Sequence, residues 1–257
     1  MDFRSRRQFL ILFTLAIILA GAGLLIYRAG APGPTCVDDK KNQGEERVDC
    51  GGPCIPCAFR NKKDLEVFWV RAVPTRPGRY DVAVEIKNPN VKVGAARFEF
   101  EFTLVDEKGI AVASRRGRSF IYPSEIVHLA EIGLEASRPA ADARISLEHI
   151  EWVSTDTIAP DVIAGNREYL IEAENGTRQS VVRANLQNRT LLDVPDLTVT
   201  ALLLDDDGNL LGVHSTFVDR LDAGITRPVE FRWPGVLAES AASVIIEARS
   251  PFALPNP

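Results

Sequence analysis

Residues 97–109 read RFEFEFTLVDEKG. Phe98, Phe100, Phe102 and Leu104 alternate with Glu99, Glu101 and Thr103. A strand sends successive side chains to opposite faces, so this stretch predicts a strand with one face on a core. Lys108-Gly109 then supplies the chemistry of a hairpin tip, where φ turns positive. The same period of two recurs on either side. Val82, Val84 and Ile86 flank Ala83 and Glu85; Leu197, Val199, Ala201 and Leu203 flank Thr198 and Thr200; Val229, Phe231 and Trp233 flank Glu230 and Arg232. Ile145 with Leu147, and Val244 with Ile246, mark shorter strands.

These strands fall into two copies of a unit about 100 residues apart, the signature of an internal repeat. Asn88 pairs with Asn188, Leu104–Gly109 with Leu203–Gly208, Ser119–Ile121 with Thr216–Val218, and Ala143–Glu148 with Ala242–Glu247; the offsets are 100, 99, 97 and 99. Units of this size with short alternating strands predict antiparallel β-sandwiches, in which two sheets supply a core neither could bury alone. Neither unit contains Cys, so the Cys-Trp-Cys arrangement of antibody domains is absent. The stretches NLQNRTLLDVPDLTVTALLLDDDGNLLG and FVDRLDAGITRPVEF resemble the FxLYD and water-stress-protein-like β-sandwich family over residues 181–233. That resemblance implies an Ig-like fold and an extracytoplasmic binding or spacer role. It carries no catalytic residues.

Phe9–Tyr27, FLILFTLAIILAGAGLLIY, is uncharged throughout. As a helix it would span about 28 Å, close to the thickness of a bilayer's hydrocarbon core. Arg4, Arg6 and Arg7 precede it and only Arg28 follows closely, which predicts a cytoplasmic N-terminus and an exported remainder. A signal peptide cleaved at Ala20-Gly21-Ala22 is the competing reading; the apolar run continues past that point, and both readings export the chain.

Four cysteines cluster in CVDDKKNQGEERVDCGGPCIPC, residues 36–57. Outside the cytoplasm they predict two disulfides, since twenty-two residues cannot bury a sufficient core. Cys36, Cys50, Cys54 and Cys57 allow three pairings; Gly51-Gly52-Pro53 predicts a turn bringing Cys50 near Cys54 or Cys57. Zinc is the weaker reading, because paired C-x2-C spacing is absent. Asp38, Asn42, Glu45 and Asp49 offer a loose set of hard oxygen ligands for calcium, outside the EF-hand register. Cys36, Asp38, Asn42, Gly44, Glu45, Asp49, Cys50, Gly51, Gly52, Cys54 and Cys57 together resemble a recurring bacterial cell-surface motif, which implies surface location rather than chemistry.

The expected organisation is therefore all-β after one transmembrane helix. It comprises a basic tail (1–8), a signal-anchor helix (9–27), a Pro/Gly spacer (28–35), a Cys-rich disulfide module (36–57), two sandwiches (62–155 and 160–250) and a C-terminal tail (251–257). Charge is uneven across it. The net charge of −5 resolves into +3 over residues 1–35, −2 over 36–57, +1 over 58–155 and −7 over 156–257. Without a basic footprint, a nucleic-acid binder is not expected.

Arg115, Arg116 and Arg118 form a basic cluster, a candidate contact for an anionic polymer or headgroup; its plainer reading is a charged strand edge. Asp205-Asp206-Asp207-Gly208-Asn209 reads as a hairpin tip rather than a calcium loop. His128, His149 and His214 are scattered, and Trp69, Trp152 and Trp233 are assigned to packing. No nucleophile elbow, phosphate loop or His-Glu-x-x-His occurs, so no catalytic residue is assigned. The expectation is a non-enzymatic, membrane-anchored interaction or envelope-assembly module with a protein or envelope partner or a second copy of itself, and no cofactor beyond the calcium reading. A passive spacer, or an enzyme with an unrecognised site, is the alternative.

Overall fold

The computed structural model describes residues 3–30, 35–238 and 240–252. Residues 31–34 of the expected spacer and 253–257 of the expected tail lie outside them. The chain divides into two compact units, 1–60 and 61–257.

In the first unit, α1 (Phe3–Gly30) contains one segment, Gln8–Arg28, long and apolar enough to cross a membrane. Between Phe9 and Tyr27 it is apolar on every side and unburied by protein, a surface that fits a membrane anchor or a signal sequence alike. Thr14, the one polar side chain between Phe9 and Tyr27, donates its Oγ1 hydrogen back to Leu10 O at 2.8 Å. The cysteine module follows and ends in the short α2 (Cys57–Arg60). Cys36 bonds Cys54 and Cys50 bonds Cys57. Gly52 explains why no other residue suits the turn: its φ is +59°, and a Cβ there would sit 2.4 Å from Gly44 O.

The second unit is built of β1 (Glu66–Arg76), β2 (Arg79–Lys87), β3 (Val93–Val105), β4 (Ala111–Ile121), β5 (Ile126–Glu135) and β6 (Asp142–Ser154). These are followed by β7 (Val162–Glu174), β8 (Thr177–Asn188), β9 (Val194–Leu204), β10 (Leu210–Leu221), β11 (Thr226–Trp233) and β12 (Ser243–Arg249). All pairings are antiparallel and form three-stranded sheets ordered β1-β2-β5, β4-β3-β6, β11-β8-β7 and β10-β9-β12. The order in residues 162–249 reproduces that in 66–154, strand for strand. Each half has its own core, centred on Phe98, Phe102, Ile86 and Leu104 in one, and on Phe231, Leu186, Leu197 and Leu203 in the other.

The halves match in their turns as well. Asn88 Nδ2 donates to Val93 O and Tyr122 O; Asn188 Nδ2 donates to Leu192 O and Leu221 O. Asp106 Oδ1 caps the N–H groups of Lys108 and Ile110, as Asp205 Oδ1 caps those of Asp207 and Asn209. Gly109 and Gly208 share φ +75°. Two of the sequence pairings are displaced. Ser119 stands opposite Phe98 where Val218 stands opposite Leu197, and Ala143 opposite Leu104 where Val244 stands opposite Leu203. Both errors are slips of two residues. Such a slip leaves every side chain on its face, so alternation cannot detect it.

A further difference is that two of the central strands, β2 and β9, are not half-buried. Ala83 on β2 and Leu202 on β9 point away from their own cores, yet both are fully buried. The outer face of β1-β2-β5 lies against the outer face of β10-β9-β12. A third cluster forms between them from Ala83, Leu202, Leu210 and Val213, with Trp69, Val73, Ala130 and Ile245 packed around it. Four sheets are thus stacked in one body.

Candidate functional site

Three places concentrate polar or exposed chemistry: the cysteine loop, the outer face of β4-β3-β6, and the junction between the stacked halves.

In the cysteine loop the four expected hard ligands are brought together, and most of their oxygens serve the loop's own backbone. Asp49 accepts the N–H groups of Asp38 and Asp39; Glu45 Oε2 accepts those of Asn42 and Asp49. Asp38 Oδ2 accepts from Thr35 Oγ1 and Asn42 Nδ2, both at 2.8 Å. The Thr35 hydroxyl, with Asn42 and the Lys40 N–H and charge, holds the Asp38 carboxyl below its ordinary range. Glu45 Oε1 lies 3.3 Å from Cys54 Sγ, a sulfur that carries no hydrogen in a disulfide, and Asn42 Oδ1 is buried without a partner. The sulfurs of Cys36 and Cys54 lie within 4.8 Å of the Glu45 carboxylate, but they are bonded to each other and offer no thiolate.

Alternation divides the arginine cluster. Arg116 and Arg118 stand on the outer face of β4, where Glu101 and Glu99 of β3 lie directly beside them at 3.1 and 3.3 Å. Arg115 points to the opposite face and reaches Glu131 of the other sheet at 4.0 Å. An open groove of about 590 Å³ runs over this face, lined by Glu99, Glu101, Glu148, His149, Arg116 and Arg118. Carboxylates outnumber cations in that lining. Gly117, inside the cluster, faces the core, where the Phe100 ring covers it.

The junction holds residues that strand reading passed over. His128 on β5 is 6% exposed and meets two carboxylates: Nδ1 is 2.6 Å from Glu247 Oε1 of β12, and Nε2 is 3.2 Å from Glu85 Oε2 of β2. Glu247 Oε2 also accepts the His128 backbone N–H, and Glu85 Oε2 accepts Trp69 Nε1. Beside them Arg249 lies over the Phe120 ring and 3.5 Å from Glu125. Burial pushes the Glu125 carboxyl up against the pull of Arg249. Burial, with Glu125 close by, pushes the Tyr122 phenol up to about 12. Tyr122 stacks on Phe252, whose ring centroid is 4.0 Å away, so the chain just past β12 folds back onto the first half. The cleft here, about 260 Å³, is lined in part by Thr198, Thr200, Ser215 and Arg118. One signal was readable: Ala83 and the run Ala201–Leu204 put apolar side chains on outward positions, as doubly buried strands do.

His149 is exposed beside Glu99. His214 packs edge-on to Phe231 and Trp233, and burial lowers its pKa. Trp69 packs between the halves; Trp233 packs in the second core, and Trp152 at the first, under Lys62. At the end of the second half, Leu191 is 95% exposed, Leu192 75% and Ile225 52%. Asn188 ties both segments there, donating to Ile225 O from its N–H and to Leu192 O from Nδ2.

The fold class is thus all-β, with one apolar helix and a disulfide-bonded loop. No family model matches the chain, and no curated protein matches it. Among solved structures it is similar to a transglutaminase of red sea bream (11% identity, 75% of this chain and 30% of that one, TM-score 0.25). It is also similar to a β-glucuronidase of glycoside hydrolase family 2 (11%, 79% and 25%, TM-score 0.20). A third is the tandem CBM22 domains of Paenibacillus barcinonensis Xyn10C (12%, 74% and 85%, TM-score 0.15). The chain spans less than a third of the first two.

Proposed function

We propose that the protein is a membrane-anchored, extracytoplasmic interaction module of the cell envelope, with α1 as an uncleaved anchor and residues 36–257 outside. Two observations support the location: an N-terminal helix apolar on every side, and disulfides that persist in oxidising compartments. The resemblance of residues 36–57 to a bacterial cell-surface motif agrees with it, and the matching turns of the two halves support an internal duplication.

The observation that carries an interaction role is the exposed Leu191-Leu192 pair beside Ile225. An exposed apolar group of this kind is what a contact surface would use and a passive spacer would not need. The role is binding rather than catalysis. His128, the most deeply buried histidine, has both ring nitrogens engaged by carboxylates, and neither a metal nor a cofactor is part of this reading. A photoreactive residue at Leu191 in the full chain tests it. Cross-links in native membranes are expected from position 191 and absent from Lys108, at the opposite tip of the first half. Silence at both positions would favour a passive spacer.

A further inference from the structure

We infer that the junction between the stacked halves is a proton latch, in which an imidazolium at His128, clamped between Glu85 of its own sheet and Glu247 of the facing sheet, holds the stack closed.

The argument is one of donors and acceptors. A neutral imidazole carries one N–H and one lone pair. Here both nitrogens face carboxylate oxygens, at 2.6 and 3.2 Å. Neither carboxylate is free to turn away, because Glu247 is also held by the His128 N–H and Glu85 by Trp69 Nε1. A neutral ring would therefore aim a lone pair at an anion in a site where the histidine is 6% exposed. With both carboxylates ionised, only the doubly protonated ring satisfies both neighbours. It then joins β2 and β5 of one half to β12 of the other through charge-assisted hydrogen bonds.

The surroundings agree in sign. Facing the ring are Trp69 of β1, with Arg71 stacked on it, Glu85 of β2, Glu247 and Arg249 of β12, and Glu125 beside Arg249. Thr200 of β9 and Ser215 of β10 line the adjoining cleft without charge. Glu131 lies further along β5, near Arg115. Burial alone pushes the His128 pKa down, but the hydrogen bonds and charges of Glu247 and Glu85 outweigh it and leave the pKa above its ordinary value. A pKa raised on folding contributes stability that is complete below the unfolded value, about 6.5, and is lost as pH rises through the folded value. The latch is closed at mildly acidic pH, where the carboxylates are still ionised, and weakens toward alkaline pH.

Apart from the latch, the junction contains one small apolar cluster, the Arg249 contacts with Glu125 and Phe120, the Tyr122–Phe252 stack and a bond from Arg71 to Gly208 O, while each half keeps its own core. Opening can therefore separate two folded halves. Spin labels at Arg116→Cys and Glu230→Cys, on the two outermost sheets of the full chain, read the separation. One short distance is expected at pH 5.5, with a longer, broader population added at pH 9. His128→Gln should lose this dependence, and so should Glu247→Gln, which removes the anion facing Nδ1. Glu125→Gln should retain it. The proposal is overturned by identical distributions at both pH values, by an unchanged response in His128→Gln or Glu247→Gln, or by its loss in Glu125→Gln. Circular dichroism of each variant confirms that both halves remain folded.

Discussion

Asn88→Ala is expected to lower stability by about 2–5 kcal/mol, at about 1–3 kcal/mol for each buried group left without a partner. The side chain is fully buried and fills its hydrogen-bonding capacity. Its amide donates to Val93 O and Tyr122 O, closing two turns at one end of the sandwich, and its Oδ1 accepts from the N–H and Nδ2 of Asn90. Asn90 in turn holds both backbone groups of Lys63. Truncation therefore takes a donor from both carbonyls, leaving Tyr122 O with only the long bond from the Glu125 N–H at 3.4 Å, and loosens the entry to β1. Asn88→Asp should be at least as damaging, since it sets a carboxylate against those carbonyls. Asn188→Ala should follow the same course with a smaller loss, because its Oδ1 serves only the local turn at Thr190. Chemical denaturation of the solubilised chain gives the comparison; a loss below about 0.5 kcal/mol, the range of an ordinary surface change, would contradict the role assigned to Asn88.

Gly117→Val is the second large effect. Gly117 stands directly opposite Phe100 across the β3–β4 pair, and a Cβ there would lie 2.3 Å from Phe100 Cζ. The ring cannot shift freely, since it packs edge-on to Phe102 at 5.3 Å within the first core. Overpacking of this kind costs about 1–3 kcal/mol, and the larger valine should lie toward the upper end. The two positions should also couple. In a Phe100→Ala background most of the added cost of Gly117→Val should disappear, which a double-mutant cycle measures. Additive losses would mean that the ring does not lie over the glycine.

Arg116 and Arg118, which flank Gly117, are paired across the strand and solvent-exposed. The cluster is therefore legible as a strand edge with a glycine made necessary by an aromatic neighbour. Its arginines looked like one patch because proximity in sequence is easily mistaken for a shared face. Alternation along a strand separates Arg115 from the other two.

The same limit governs the rest of the chain. Strands such as Phe98–Leu104 and the hairpin tips at Gly109 and Gly208 were readable, because period two and positive φ are local properties. The apolar helix was readable from composition alone. What local reading could not reach was which faces meet. The outward side chains of β2 and β9 are buried only because another sheet lies on them, and the His128 cluster exists only across that contact. The repeat register slipped by two for a related reason, since a slip of two preserves the inward set. In the cysteine loop, the choice among three pairings was settled by the path of the turn through Gly51 and Gly52, which takes Cys50 to Cys57.

The location on which the functional proposal rests has one decisive measurement. An epitope placed after Pro257 of the full chain is exposed to protease added outside intact cells, and the released fragment is mapped by mass spectrometry without reduction. The epitope is expected to be lost from intact cells, with Cys36–Cys54 and Cys50–Cys57 found oxidised in the released material. An epitope that stays protected until the membrane is opened, with the four cysteines free, would contradict the account.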